Sequence, residues 1–465
     1  MSTKVKGNYS YLLIKWIISI IGPIIILLIP ENELFTSELR VFLAISLWLI
    51  LSVALSIFES MFVPAFLAPV LWYMTGCVPI NIAFSAWTQE VLYVIIGAYL
   101  LASQLEEVGL LKRIAYWVIL KFGGSFKGTY WGIFVACAFV TFITFGNAYI
   151  VLATITFGIC KAFNLGTSRE SAFIVMSACV GTTTSRTFIY SPQTVGLIEA
   201  GIRTVHPDFS LTWYDYMIQM APTIIMCIVI LWAYGKIFGL KKVNVQMEKE
   251  YFIAQLASLG KISSTEKKAG IVLLSLMAFL ITSPLHGLPA NYGFLVLPLL
   301  YFVPGINIGT KQTIRNIDFS LIFFAASCLS IGVVGNYLGL GKLIVAYLSP
   351  IVSIAGAAGA AYIVMTFGIA VNFVLTPTAM MAALPASIAA LADGLGVSAL
   401  SLIYPFKMST DLIFLPYEYI PYLIFFSFGM MKTKDFVAFS TVKIIINYLF
   451  LGIIMIPWWK ILGIA

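Results

Sequence analysis

An apolar stretch near the carboxyl-terminal end of the chain carries two acids and two prolines. It runs from Met408 to Phe426 and reads MSTDLIFLPYEYIPYLIFF. An ionised side chain inside a bilayer segment costs roughly 2.5–3.5 kcal/mol, so Asp411 and Glu418 need a partner, water or a function. Their seven-residue spacing predicts one shared helical face, with Lys407 one turn earlier on that face. The stretch therefore predicts a polar stripe within a membrane segment.

The prolines predict that this stripe is broken. Pro416 and Pro421 have no N–H to donate to the preceding turn, so the segment is expected to break around Glu418. Broken backbone survives in lipid only where protein or a water-filled cavity covers it. Acids at a broken helix are typical of the sites of secondary transporters. The alternative is a proline kink in which a Lys407–Asp411 pair holds two helices together.

Composition defines the class of protein. Hydrophobic residues make up 61% of the 465 residues and charged residues 10%, and the mean hydropathy is +1.01. These values predict an all-α polytopic membrane protein in a lipid bilayer. The first apolar run, Tyr11 to Pro30, is longer than a signal-peptide core and is predicted to be a retained span.

Several functional classes are not indicated. The net charge of +8 is spread over connecting segments, which favours membrane orientation over nucleic-acid binding. His206 and His286 are too far apart to suggest a metal site, and no cofactor is expected. The cysteines stand alone in apolar runs, without CxxC spacing, and are predicted to be core residues. They are Cys77, Cys137, Cys160, Cys179, Cys227 and Cys328.

The hydropathy pattern predicts about eleven transmembrane spans. The predicted segments are residues 1–88 as amino-terminal scaffold spans, 89–238 as a first repeat, 239–268 as a linker, 269–317 as further scaffold spans, and 318–465 as a second repeat. The first repeat holds a re-entrant hairpin over 127–163 and a discontinuous helix over 169–202; the second holds a hairpin over 350–391, a discontinuous helix over 400–426 and a last span over 436–459. The lysine-rich linker and the amino terminus are predicted to be cytoplasmic, and the carboxyl terminus outside.

The two halves repeat the same landmarks. Gly109-Leu110 is followed 230 positions later by Gly339-Leu340, and Pro192 is followed 229 positions later by Pro421. An odd number of spans in each half makes the two repeats antiparallel in the membrane. Inverted repeats are a signature of transporters whose site lies between the repeats at the midplane.

Two long stretches resemble the divalent anion/sodium symporters. The first lies within residues 42–134 and contains ESMFVPAFLAPVL, VLYVIIGAYLLASQLEEVGLLKRIAYWVIL and FGGSFKG. The second is the ending PYEYIPYLIFFSFGMMKTKDFVAFSTVKIIINYLFLGIIMIPWWKILG. The resemblance covers nearly the whole chain. It implies a homodimer in the plasma (inner) membrane, with a transport domain that moves as an elevator, carrying dicarboxylates, citrate or sulfate.

The resemblance also implies a site built from two hairpin tips and two helix breaks. The tips carry over to Gly146-Asn147-Ala148 and Leu375-Thr376-Pro377, and the first break carries over to residues 181–187 and 191–194. Asn147 is the one residue kept from the Ser-Asn-Thr tips of the family. This loss favours a proton or exchange over Na+ as the coupling partner, with Na+ left as a candidate.

The candidate substrate-binding residues are donors of hydroxyl, amide and guanidinium type. They are Asn147, Thr183, Thr184, Arg186, Asn372, Thr376 and Thr378. The candidate coupling-ion residues are Gly146, Gly181, Thr182, Asp411 and Glu418. A guanidinium at Arg186 could bind a carboxylate bidentately or replace the charge of sodium, and a carboxyl in a desolvated break could exchange a proton in each cycle. The alternatives are an ion pair from Arg186 to Asp411 or Glu418 that only locks the helices, and a helix cap for Asn147.

The sequence thus predicts a secondary active transporter of small anions, with di- or tricarboxylates as the expected substrates. Alternating access would be coupled to protons or sodium. An exchanger of two anions without any cation is the first alternative. A membrane-embedded enzyme acting on lipid-linked substrates and a channel are further alternatives, and the short, lysine-rich loops disfavour the enzyme.

Overall fold

The computed structural model describes residues 2–55, 57–243, 245, 247–373 and 375–464. This part of the chain is almost entirely helical and contains no strand. By length and composition, four of the described helices can cross a membrane, and counting each bent helix pair as one span raises the number to eight. The predicted all-α membrane class is confirmed, and the count of eleven spans stays a prediction.

The amino-terminal helices present apolar side chains on their outer faces. They are α1 (Ser2–Leu27), α2 (Ser37–Ala54), α3 (Phe62–Met74) and α4 (Ile80–Ala83), followed by a 3-10 turn at Ser85–Thr88. Thr36 begins α2 by accepting a hydrogen bond from the Leu39 amide at 3.3 Å. Leu28 and Met74 are more than 70% exposed, at 76% and 73%. Such apolar exposure fits a surface that lipid covers.

The first repeat contains a hairpin and an interrupted helix. Its helices are α5 (Glu90–Glu107), α6 (Leu110–Phe122), α7 (Phe126–Ile143), α8 (Tyr149–Ala162), α9 (Arg169–Thr182), α10 (Leu197–Arg203), α11 (Trp213–Met220) and α12 (Thr223–Ile237). A 3-10 turn at Thr184–Thr187 and a π-helical turn at Pro192–Gly196 lie between α9 and α10. The axes on the two sides of this interruption differ by 47°.

The middle of the chain is anchored to the first repeat by one arginine. Its helices are α13 (Lys249–Ser258), α14 (Ser264–Ile281), α15 (Ser283–His286), α16 (Ala290–Val296) and α17 (Lys311–Arg315). A 3-10 turn at Leu240–Lys242 precedes α13, and another at Leu297–Phe302 follows α16. Arg113 of α6 pairs with Glu266 at 2.7 Å. The same guanidinium donates to the carbonyls of Gly260 at 2.9 Å and Leu259 at 3.0 Å. These bonds fix the linker against α6.

The second repeat has the same order of elements. Its helices are α18 (Phe319–Tyr337), α19 (Leu340–Asn372), α20 (Pro377–Ala383), α21 (Pro385–Leu395), α22 (Ala399–Ser409), a 3-10 turn at Pro416–Glu418, α23 (Ile420–Ser427), α24 (Thr433–Phe450), a π-helical turn at Leu451–Met455, and α25 (Ile456–Ile461). Gly356, with φ 67° and ψ 175°, interrupts α19. The second hairpin therefore has one arm in the later part of α19 and the other in α20 and α21.

Two glycines mark the corresponding corner in each repeat. Gly109 precedes α6 with φ 81°, and Gly339 precedes α19 with φ 83°. This left-handed backbone favours glycine, which explains why both positions carry that residue. A hairpin, a broken helix and a closing helix follow each corner in the same order. The two halves therefore share one order of elements, while the predicted domain bounds and the antiparallel orientation of the repeats stay predictions.

The two repeats interlock through their broken helices. Each first half packs against its own hairpin, α9 against α7 and α8, and α22 against α19 and α21. Each second half crosses to the other repeat, because α10 packs against α20 and α21 while α23 packs against α8. This exchange brings both hairpin tips and both breaks to the centre of the molecule.

All six cysteines lie in the surrounding core, buried and free.

Side-chain contacts also mark two ends of the molecule. Arg113 and Thr167 lie at one end, where the Thr167 hydroxyl donates to the Gly429 carbonyl at 2.6 Å. Arg203 and Glu90 pair at the other end at 3.1 Å. The linker is at the first of these ends, which we call the linker end.

Candidate functional site

The first hairpin tip brings its backbone directly against a guanidinium. Thr144 to Ala148 connect α7 and α8, and Phe145 and Gly146 have φ values of 52° and 95°. A Cβ built on Gly146 would lie 2.7 Å from Nε of Arg186, so this position has room only for glycine. The side-chain amide of Asn147 donates through Nδ2 to the Thr144 carbonyl at 3.2 Å, and α8 begins without a side-chain cap. Asn147 therefore does not cap α8.

Arg186 lies in the first helix break and has no acidic partner. Its guanidinium is buried, Nη1 donates to the hydroxyl of Tyr419, and Cζ lies 5.8 Å from the centre of the Tyr419 ring. Within the described part of the chain, Nε has no hydrogen-bond partner and no carboxylate reaches salt-bridge distance. The predicted alternative of an ion pair from Arg186 to Asp411 or Glu418 is wrong.

The second break begins earlier than its prolines predict. Helix α22 ends at Ser409, and residues 410–419 are non-helical apart from the 3-10 turn. The hydroxyls of Ser409 and Thr410 donate to the carbonyls of Phe406 and Lys407 at 2.6 and 2.8 Å, which occupies acceptors at the helix end. The prediction that Lys407, Asp411 and Glu418 share one helical face is wrong, because the chain leaves the helix before Asp411.

Both acids of this break have partners close by. Asp411 pairs through Oδ2 with Nζ of Lys443 at 3.2 Å. Glu418 accepts from the backbone amides of Leu415 at 2.8 Å and Phe414 at 3.2 Å, so it caps the 3-10 turn. The alternative of a Lys407–Asp411 pair is also wrong, since Asp411 is paired with Lys443.

Lys407 places a second buried basic side chain beside Arg186. It is 3% exposed, and its Nζ lies 3.5 Å from the carbonyl oxygen of Arg186. No carboxylate among the described residues forms a salt bridge with it. A buried charge without a partner is costly, and the Arg186 guanidinium cannot lose its proton, so it produces a positive region that an anion would stabilise.

A cavity of about 50 Å³ lies beside Arg186, where the tips and breaks meet. Its lining residues are Ile95, Tyr99, Gly146, Asn147, Tyr149, Arg186, Gln193, Leu321, Ala325, Thr378, Tyr419, Ile420 and Pro421. None of these described residues is acidic. Nε2 of Gln193 is buried without a hydrogen-bond partner, as is Nε of Arg186. A cavity with unsatisfied donors and a cation is suited to an anionic ligand.

The cavity brings together part of the predicted set. Gly146, Asn147, Arg186 and Thr378 line it. The other candidates do not line it: Gly181, Thr182, Thr183, Thr184, Asn372, Thr376, Asp411 and Glu418. Three of these have local roles, since Thr183 donates to the Cys179 carbonyl at 2.7 Å, Asn372 donates to the Ser409 carbonyl at 2.8 Å, and Thr376 caps α20. Their roles in binding stay predictions.

Several polar residues of this centre were not among the sequence candidates. Tyr99, Tyr149, Gln193 and Tyr419 line the cavity, and Lys443 pairs with Asp411. Tyr99 comes from α5, which no motif links to the tips. Lys443 carried a usable signal, because a lysine inside a predicted span needs a partner in the same way as the two acids.

Two larger cavities lie at the end opposite the linker. Their volumes are about 630 and 500 Å³, and Glu199, Arg203 and Asn291 line both. The larger one reaches Val91 and Gly196, which are within about one helical turn of Ile95 and Gln193 in the central cavity. Arg203 pairs with Glu199 at 2.7 Å and with Glu90 between these cavities. The larger cavity therefore lies next to the centre on the side of this end.

The fold and the central cavity define a helical membrane transporter. A model of the citrate transporter family matches residues 46–408, and the chain belongs to this family. The predicted class of secondary transporter is confirmed at this level, while the assignment to the divalent anion/sodium symporters stays a prediction.

Two solved structures share the fold. The YdaH transporter of Alcanivorax borkumensis matches with a TM-score of 0.55 and 15% identity, over 82% of this chain and 88% of that one. MtrF of Neisseria gonorrhoeae, described as illuminating a class of antimetabolite efflux pumps, matches with a TM-score of 0.54 and 13% identity, over 96% and 94%. At these identities the likeness extends to the fold alone. No curated protein sequence matches.

Proposed function

We propose that this protein carries small carboxylate anions, with di- or tricarboxylates such as citrate as substrates, by alternating access. The observation that carries the proposal is Arg186, a buried guanidinium that has no acidic partner among the described residues and lies in the cavity where both tips and both breaks meet. The family match to citrate transporters supports the same class of substrate.

The chemistry of the cavity fits a carboxylate. A guanidinium binds a carboxylate through two parallel hydrogen bonds, and Arg186 retains a free Nε for such a contact. Gln193 offers an unsatisfied amide donor from the same break. Lys407 lies behind Arg186 and does not line the cavity. An anion would therefore supply the missing countercharge for the Arg186 guanidinium.

The size of the cavity indicates a closed state. One water needs roughly 10–15 Å³ of the space that the centre of a water-sized sphere can reach. The central cavity has about 50 Å³ of this space, so it holds only a few waters and no tricarboxylate. Binding therefore requires the tips and breaks to separate. The larger cavities beside Arg203 and Glu199 provide the approach for one access state, at the end opposite the linker. Closing that approach and opening the linker end would complete the cycle.

The coupling partner in this proposal is a proton or sodium. Exchange of two anions is the second candidate, and it is favoured by one observation: Asp411 is already paired with Lys443 and Glu418 is already bound to backbone amides. On the basis of the sequence, the proposal also includes a homodimer in the plasma membrane with a cytoplasmic amino terminus. Its transport domain would move as an elevator.

The test is thermal stabilisation of the purified full-length protein by citrate, dicarboxylates, sulfate and phosphate, in sodium and in potassium at two pH values. A ligand that binds the folded state raises the apparent melting temperature by mass action. We expect a saturable shift with a carboxylate, and no shift in Arg186→Gln. Arg169→Gln is the matched control, because Arg169 is exposed at the start of α9. No response to any anion, or an equal response in Arg186→Gln, would refute the proposal.

A further inference from the structure

A lysine from a neighbouring helix fills the second break with its ammonium group. Lys443 lies in the middle of α24 and is fully buried. Its Nζ donates to the carbonyl oxygen of Asp411, to Oδ2 of the same residue at 3.2 Å, and to the hydroxyl of Tyr422 at 2.7 Å. The carbonyl, carboxylate and hydroxyl oxygens around Nζ all come from the break and the first turn of α23.

This arrangement of oxygens is the type that binds a free cation. Hard cations take carbonyl, carboxylate and hydroxyl oxygens as ligands. Asp411 follows the last residue of α22 by two positions, so the negative end of that helix dipole adds to the attraction. Unwound carbonyls and half-helix carboxyl ends coordinate the coupling ions of transporters with broken helices. The second break therefore has the chemistry of a cation site, and Lys443 occupies it.

The Lys443 ammonium is also enclosed by aromatic rings. It is 0% exposed, and the ring centres of Tyr422 and Phe439 lie 4.8 and 5.9 Å from Nζ. The Tyr422 hydroxyl also lies 3.2 Å from Oδ1 of Asp411, which ties the carboxylate to the same centre. A simple ion pair between helices would need only the carboxylate. Here a backbone carbonyl freed by the break also contacts the cation.

We propose that Lys443 is the built-in cation of the second break, and that its ammonium occupies the position where a free alkali cation would otherwise bind. The transport cycle then needs no sodium ion at this break. The proposal about binding stands on the geometry alone, whereas its consequence for transport rests on the proposed function.

The experiment removes the ammonium and offers free cations in its place. Lys443→Ala is purified as the full-length protein, and its apparent melting temperature is titrated with sodium or methylammonium, with choline keeping the ionic strength constant. We expect a saturable rise in Lys443→Ala, because the vacated oxygens bind the added cation. The wild type and Lys434→Ala, an exposed lysine at the start of the same helix, should show no rise. Asp411→Ala/Lys443→Ala should also show none, since a ligand is lost.

Each outcome decides the proposal. A folded Lys443→Ala that responds to neither cation overturns it, as does a wild type that responds as strongly as the variant. Lys443→Gln is made in parallel, because its amide keeps a hydrogen-bond donor and fills more of the space. If neither variant is recovered folded even when sodium or methylammonium is present throughout purification, the proposal is also wrong, since an added cation should restore the site.

The transport measurement is separate. Citrate uptake into proteoliposomes by the wild type should be unchanged when choline replaces sodium, and Lys443→Ala should lose uptake in choline and regain it in sodium. Absence of citrate uptake under every condition would refute the proposed function and leave the cation titration to be judged alone.

Discussion

The two helix breaks occupy corresponding positions in the repeats, yet they differ in the pairing of the cation at each break. Arg186 of the first break has no carboxylate within salt-bridge distance among the described residues, and a cavity lies beside it. Lys443 in the second break is paired with Asp411, and neither residue lines that cavity. One break is electrostatically complete and the other is left for a ligand. Structural repetition therefore does not make the two halves of this centre functionally equivalent.

The source of each cation explains the difference. Arg186 belongs to the break itself, so its guanidinium lies among the tips, where Gly146 leaves room for it. Lys443 comes from α24, which closes the second repeat, and it does not line the cavity. The comparison can be tested by variants that disturb one break and its counterpart.

Removing the carboxylate of the Asp411–Lys443 pair should have the largest effect on stability. Asp411→Asn leaves the Lys443 ammonium buried without its carboxylate, and loss of one partner of a buried pair costs about 3–5 kcal/mol. We expect a large fall in the apparent melting temperature, which citrate does not restore. Asp393→Asn is the control, because Asp393 is exposed at its contact with His206. An unchanged melting temperature in Asp411→Asn would contradict the comparison.

Removing the hydroxyl that contacts each cation should have the next largest effect on stability. Tyr419→Phe leaves the Arg186 donor unsatisfied, and an unpaired buried donor costs about 1–3 kcal/mol. A carboxylate can accept from that donor, so citrate should recover much of the lost stability. Tyr422→Phe removes the hydroxyl that contacts Lys443 and Asp411. Citrate should recover none of the stability lost in this variant. Equal recovery in both variants, measured by citrate-dependent melting, would show that the breaks do not differ.

A methyl group at the first tip should weaken anion binding. Gly146→Ala places a Cβ against Nε of Arg186 and imposes left-handed strain of about 1–2 kcal/mol. Gly166→Ala provides the control, because Gly166 is also left-handed, with φ 54°, but has open space around its Cβ position. We expect a larger loss of stability in Gly146→Ala, because its Cβ also clashes with Nε of Arg186, and a loss of citrate affinity only in that variant. Equal citrate affinities would place the anion away from the first tip.

The smallest effect is expected at Glu418. Glu418→Gln keeps one oxygen for the amide of Leu415 or Phe414, so it should cost about 1 kcal/mol or less. Citrate accumulation driven by a pH gradient in proteoliposomes should persist. Exchange that continues while pH-driven accumulation is lost would instead identify Glu418 as a proton carrier.

Much of the framework follows from local sequence signals. The corner glycines Gly109 and Gly339, with the apolar runs around them, indicated the repeat because left-handed backbone has a strong residue preference. Gly146 marked the first tip for the same reason. The end of α22 was misplaced because the hydroxyls of Ser409 and Thr410 outcompete the prolines in setting where the helix stops.

The partners in the centre could not be read from spacing. Asp411 and Lys443 are 32 residues apart, and the packing of α24 against the break decides their contact. Tyr99 reaches the cavity from α5, far from either tip in the sequence. Charges inside apolar runs identify residues that need partners, but tertiary packing selects which partner each one finds.

The six buried cysteines make the native chain a ready background for reporter chemistry. Their exposed fractions are between 0% and 6%, so a membrane-impermeant maleimide should label the wild type weakly. A single thiol placed at Asn147, in the lining of the central cavity, would be the main target of that reagent. Its labelling rate from each side of the membrane would follow the opening of the cavity without removal of any native residue but Asn147.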